Sequence, residues 1–267
     1  MSTPSDSTAS GTPSDSTASG TPPGSTAGGP PESPPAGPAA GPGPAATLQS
    51  IVPGETVTVV HLLRHGEVHN PEGVLYGRLP GYHLSELGRR MAERAAEWFG
   101  GRDITHLVSS PLERARETAE PTAKAFGLEP VIDERVIEAA NKFEGKTFGV
   151  GDGALWHPAI WWHLRNPWRP SWGEPYQRIV ARMLSAAAEA RDAALGHEAV
   201  VVSHQLPVWM ARCAFEGRRY AHDPRKRQCA LASVTSVTYA GERVQSLAYA
   251  EPSADLLGPA DTQQFGA

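Results

Sequence analysis

Val57-Thr58-Val59-Val60-His61-Leu62-Leu63-Arg64-His65-Gly66-Glu67 decides the reading of this chain. The β-branched apolar run from Thr56 to Leu63 has strand length and no helical spacing, so it predicts a buried strand. It runs straight into Arg64, His65 and Gly66. Such a strand end delivers a permanent cation, an imidazole and an unhindered turn to one point. Arginine grips phosphate oxygens bidentately. A neutral imidazole can act as a nucleophile. Glycine lets backbone N–H groups approach an anion. At the C-terminal edge of a parallel sheet, a turn of this kind sits where α/β proteins bind ligands.

Working outward, the spacing predicts alternating elements. Ser85 caps a helix through Trp98, with Leu87, Met91, Ala95 and Trp98 on one face, and Gly100-Gly101 ends it. Ile104 to Val108 reads as a strand and Leu112 to Phe126 as a helix, with Ser110 as its cap and Pro111 at its first position. Pro130 to Ile132 reads as a short strand, Tyr176 to Leu195 as a long helix, Glu198 to Val202 as a strand and Pro207 to Phe215 as a helix. Ser233 to Tyr239 and Arg243 to Tyr249 alternate in polarity around Ala240-Gly241-Glu242, which predicts a closing hairpin. Strands alternating with helices imply an α/β fold: one three-layer α/β/α domain with a mostly parallel central sheet.

Composition bounds the domain. Residues 1–50 hold 11 of the 25 prolines, no Lys or Arg, and three acids. Thr3 to Gly11 repeats without change as Thr12 to Gly20, and a degraded copy spans Thr21 to Gly29. Such sequence buries too little apolar surface to offset its ordering entropy, so residues 1–50 are expected to be a disordered tail, either a plain leader or a docking or modified segment. Residues 54–250 then form the one ordered domain, and 251–267 a flexible C-terminal tail. Without residues 1–50, 24 basic residues face 26 acidic ones, a net of −2. That balance gives no nucleic-acid or membrane partner. No apolar stretch reaches membrane length and no signal core opens the chain, so a cytoplasmic location is expected. Cys213 and Cys229 are the only cysteines, too few for a disulfide framework or a zinc spacing.

Further motif blocks follow the first in order: Ser109-Ser110-Pro111-Leu112-Glu113-Arg114-Ala115, then Glu138, then Val201-Val202-Ser203-His204. From about Val57 to about Tyr249 the chain resembles the histidine phosphatase superfamily, which includes the cofactor-dependent phosphoglycerate mutases. The resemblance implies a phosphoglycerate mutase-like fold and a metal-independent phosphomonoester hydrolase acting through a phosphohistidine on His65. It implies Arg64 and Arg114 as clamps on the phosphoryl oxygens, His204 as a stabiliser of its charge, and Glu138 as proton donor. The Glu138 segment is one residue shorter than the family pattern and lacks its middle glycine, and Glu144 competes for the acid role. Asn70 comes one residue early for the family's phosphate-contacting asparagine. Arg78 matches a substrate-side loop, and both are candidate substrate-binding residues. Where the family has glycine after the second histidine, this chain has Gln205.

His61, His65 and His69 stand four apart, a metal spacing only on a continuous helix. Gly66 interrupts them, and on a strand His61 and His65 lie too far apart to chelate one ion directly, so neither metal nor cofactor is expected. Trp156, Trp161, Trp162, Trp168 and Trp172 mark a segment expected to be a lid over the site or a satellite cluster under a long loop. The expected partner is a small phosphorylated substrate. Mutases of the family typically carry Arg-His-Gly-Glu-Ser-x-Trp-Asn. Here the stretch lacks that Ser and Trp, leaving the mutase and a non-catalytic phosphate-binding module as rival readings.

Overall fold

The computed structural model describes residues 54–142, 144–146 and 173–257. The expected N-terminal tail, the tryptophan-rich segment and everything past residue 257 lie outside the described residues.

Strand β1 (Val57–Arg64) is central. It pairs in parallel with β4 (Glu198–Ser203), which pairs in parallel with β2 (Ile104–Ser109), which pairs in parallel with the two-residue β3 (Val131–Ile132). On its other side β1 takes β5 (Val234–Ala240) antiparallel, and β6 (Arg243–Ala250) closes the hairpin. The order is β3-β2-β4-β1-β5-β6. Gly241, at φ 57°, supplies the left-handed turn between the last two strands.

Side-chain alternation along the strands fills two cores. Val60, Leu62, Ala199 and Val201 point to one face, under helices α3 (Tyr176–Ala193) and α4 (Gln205–Phe215). Leu63, Val200 and Val202 point to the other, under α1 (Glu86–Trp98) and α2 (Glu113–Phe126). With Val200, Val201 and Val202 at 0% exposure, β4 is covered on both faces, as its unbroken apolar run requires. The molecule is the three-layer α/β fold expected. No helix among the described residues is long and apolar enough to cross a membrane.

Three expectations shift. Helix α2 starts at Glu113 with Leu112 as its cap, and the Ser110 hydroxyl accepts the Leu112 N–H at 3.4 Å while pairing with the His204 ring. Helix α4 starts at Gln205, because proline is tolerated in the first turn, where its missing N–H has no intrahelical acceptor. Residues 251–257, expected to fray, form a short turn at Ala254–Leu256, and Leu256 and Leu257 pack against the Met91, Leu231 and Ala232 cluster. Two adjacent leucines suffice to dock a segment whose composition otherwise reads as a tail.

Candidate active site

The parallel register brings three strand ends side by side. Arg64 stands opposite Ser203 and Ser109 opposite Val202. The residues that follow each strand therefore meet at one edge. The His65 N–H donates to the Ser203 carbonyl at 3.0 Å, and the Ser110 N–H to the Val202 carbonyl at 3.0 Å. His65, Ser110 and His204 are all buried there.

The His65 ring is oriented by its own turn. Its Nδ1–H donates to the Gly66 carbonyl at 2.7 Å, which leaves Nε2 unprotonated and free to act as a nucleophile. Burial, then the charges of Arg114 and Arg64, hold this imidazole well below the usual histidine range, so it is neutral at pH 7. The His204 ring lies 5.1 Å away, centroid to centroid. Its Nε2 pairs with the Ser110 hydroxyl at 2.8 Å, and its buried Nδ1 has no partner among the described residues. Burial and the nearby Arg114 also hold His204 well below the usual range.

Two arginines complete the cluster. Arg64 Nη1 donates to the Cys229 carbonyl at 2.7 Å, and Arg114 Nη2 to the Gly77 carbonyl at 2.6 Å. The other guanidinium nitrogens, Nε and Nη2 of Arg64 and Nε and Nη1 of Arg114, are buried without a hydrogen-bond partner among the described residues. Unpartnered buried donors on permanent cations are costly unless an anion takes them. The face of Tyr76 lies 4.7 Å below Arg114 and holds the guanidinium in place.

Glu138 is 4% exposed and accepts the Ala139 N–H at 2.7 Å. Burial raises its pKa, although the Ala139 N–H and the charges of Arg114, Arg227 and Arg64 pull the other way. Glu144 is placed differently: one oxygen accepts the backbone N–H groups of Arg78 and Asn141, at 3.1 and 3.3 Å, and ties two loops together. Arg78 Nε donates to the Glu138 carbonyl at 2.7 Å and Nη2 to Glu174 at 3.1 Å, so it braces the backbone behind Glu138. Asn70 closes the 70–74 turn, with its amide donating to the Val74 carbonyl at 2.8 Å and accepting the Val74 N–H at 3.0 Å. His61 is committed to Ser236 and Glu198, each at 2.7 Å.

The arrangement juxtaposes a neutral nucleophilic nitrogen, an anion-binding set of donors and a carboxyl group that burial biases toward its protonated form. The family model for the histidine phosphatase superfamily (branch 1) matches residues 60–252. The chain belongs to the histidine phosphatase superfamily. It is 54% identical over 197 residues to Rv0525, an uncharacterized protein of Mycobacterium tuberculosis, covering 74% of this chain and 98% of that one. It is 33% identical over 127 residues to a 2,3-bisphosphoglycerate-dependent phosphoglycerate mutase of Thermoplasma acidophilum, covering 46% of this chain and 64% of that one. The structure of a mycobacterial glucosyl-3-phosphoglycerate phosphatase superposes with a TM-score of 0.59 at 26% identity, covering 72% of this chain and 97% of that one. Membership, with phosphatase and mutase relatives, makes the chain an enzyme of the phosphoryl-transfer type.

Sequence reasoning missed three contributors to the site of this histidine phosphatase superfamily member. Ser110 orients His204. Thr118, one turn after Arg114 on α2, accepts the Gly66 N–H at 3.1 Å and donates to the Arg114 carbonyl at 2.6 Å. The Ser-Ser-Pro block contained the first signal, but a serine before a helix also reads as a cap. Arg227, which exerts a charge on Glu138, had no motif to mark it.

Proposed function

We propose that the chain is a phosphomonoester hydrolase that works through a phosphohistidine on His65. The observation that carries this reading is the set of buried, unpartnered donors of Arg64 and Arg114 beside a neutral His65. Those donors take the non-bridging oxygens of a phosphoryl group. With the Ser110 hydroxyl donating to Nε2 of His204, Nδ1 carries the proton and supplies a further donor. Positive charge that a metal could supply in other phosphatases comes here from guanidinium groups.

In the first step the Nε2 lone pair of His65 forms the N–P bond. The ester P–O bond breaks, and the departing oxygen takes the proton of Glu138. In the second step water attacks phosphorus, the N–P bond breaks and the Glu138 carboxylate takes the water proton. Inorganic phosphate leaves, and both groups return to their starting states. Glu138 suits this role better than Glu144, whose oxygen is engaged with two backbone N–H groups. Arg78 positions Glu138 from behind. A direct substrate contact by Arg78 or Asn70 requires that it exchange its present partners.

Likeness to a phosphoglycerate mutase supports a second reading, in which a substrate hydroxyl replaces water as acceptor. Phosphate release from an aryl phosphate with EDTA present, for wild type and His65→Ala, separates the cases. Hydrolysis that survives chelation and is lost in a folded His65→Ala variant is the expected result. Isomerisation of phosphoglycerate that depends on a bisphosphate primer, without net release, would establish the mutase. Full activity in His65→Ala would overturn both.

A further inference from the structure

Glu138 stands just past the short turn Glu134–Val136, on backbone that belongs to no strand or long helix. Side chains take the carbonyls of this segment instead. Arg182 Nη1 donates to the Arg135 carbonyl at 2.6 Å, the Ser203 hydroxyl to the Val136 carbonyl at 2.6 Å, and Arg78 Nε to the Glu138 carbonyl at 2.7 Å. The Glu138 carboxyl group itself has one hydrogen bond among the described residues, from the adjacent Ala139 N–H. Its place is therefore the place of the backbone that carries it.

Two of these three donors share one carboxylate. Glu174 accepts Arg182 Nε at 3.0 Å on one oxygen, and Arg182 Nη2 and Arg78 Nη2 on the other, each at 3.1 Å. Its side chain is 8% exposed, and its N–H donates to the Ala140 carbonyl at 3.0 Å. Arg182 belongs to α3 and Arg78 to the loop ahead of α1. Both guanidinium groups lie within hydrogen-bond reach of a single oxygen, and without its charge they repel each other. Glu174 lines a pocket of about 150 Å³ together with Glu138, but its oxygens are committed to the two arginines.

We propose that Glu174 is a positioning residue for proton transfer: by holding Arg78 and Arg182 together it fixes the backbone that carries Glu138, and with it the reach of the Glu138 carboxyl group to the departing oxygen. The inference rests on the reading above, in which Glu138 is the acid. A misplacement of about 1 Å costs up to about a hundredfold in rate. Here that cost falls on the step that needs the proton.

The test uses Glu174→Gln in the full chain, which keeps the shape of the side chain and removes its charge. kcat and KM are measured on an alkyl phosphate and on an activated aryl phosphate, whose phenolate leaves with little help from an acid. The expected result is a kcat lower by about tenfold or more on the alkyl ester and by about threefold or less on the aryl ester, with both KM values within about twofold. Arg78→Gln, at a side chain 33% exposed, shifts the alkyl-to-aryl ratio in the same direction. The two changes combined lose less than the product of the single losses, because both cut one linkage. Equal losses on the two esters overturn the proposal, since a merely loosened fold would give them. A change confined to KM overturns it too, and would assign Glu174 to the substrate. So do losses that multiply in the double variant. If Glu174→Gln does not fold, the Arg78→Gln ratio decides, and an unchanged ratio counts against the proposal. A wild type that hydrolyses both esters while Glu174→Gln keeps their ratio refutes the positioning role alone. A folded wild type that hydrolyses neither refutes the hydrolase, and this role with it.

Discussion

Glu138 owes its charge state to the segment that buries it, and the consequence shows in which substrates it helps. A proton held by a buried carboxyl group matters most when the departing oxygen is basic. An alkyl phosphate expels an alkoxide, which needs the proton during bond cleavage. An aryl phosphate with an acidic phenol needs it far less. Glu138→Gln keeps the size of the side chain and an oxygen to accept the Ala139 N–H. It removes only the transferable proton. The expected outcome is a loss of roughly a hundredfold or more in kcat on an alkyl phosphate, with a much smaller loss on an activated aryl phosphate. Steady-state rates on the two substrates check this. Equal losses would mean that the carboxyl group binds rather than transfers a proton.

The elements hold the site through contacts that glycine alone permits. A Cβ on Gly66 would lie 2.5 Å from the Gly88 carbonyl oxygen, and one on Gly88 would lie 2.0 Å from the Glu67 carbonyl oxygen. The turn after His65 is therefore pressed against the first turn of α1. The Ser85 hydroxyl, which accepts the Gly88 N–H at 2.9 Å, bonds the Glu67 carboxylate on the same seam. Alanine is ordinarily the better helix former, yet Gly88→Ala must push two backbones apart. It is expected to destabilise the fold by about 1–3 kcal/mol and to lower kcat, since His65 is oriented by the Gly66 carbonyl. Denaturant unfolding alongside rate measurements checks both. A variant more stable than wild type would show that the seam is loose. The sequence made Gly66 legible as a turn but not as a contact, because its partner stands 22 residues on and only the folded register joins them. Strand β1 was legible from its unbroken β-branched apolar run, and the last hairpin from its alternation. The start of α4 and the use of Ser110 were not, because proline and serine each suit a helix N-terminus in more than one way.

Across the whole molecule, the site makes stability depend on pH with a definite sign. His61, His65 and His204 are buried, and burial lowers the pKa of each below the ordinary 6.5. Half-buried His222 and partly exposed His106 shift the same way. As pH falls below 6.5, the unfolded chain binds protons on these rings that the folded chain refuses. Stability therefore falls with pH. Glu138 acts in the opposite direction: its pKa is raised, so its contribution is full at low pH and lost as pH rises through the folded value. One carboxyl group stands against three fully buried imidazoles, so the histidines set the net slope. The melting temperature is expected to be lower at pH 5.5 than at pH 7.5 by about 3–6 °C. The His65→Ala variant should show a shallower slope, because one buried ring no longer competes for a proton. Thermal melts of both proteins across this range check the sign. A melting temperature that climbs as pH falls would mean that these rings accept protons in the fold, and the proposal of a neutral nucleophile at His65 would fall with it.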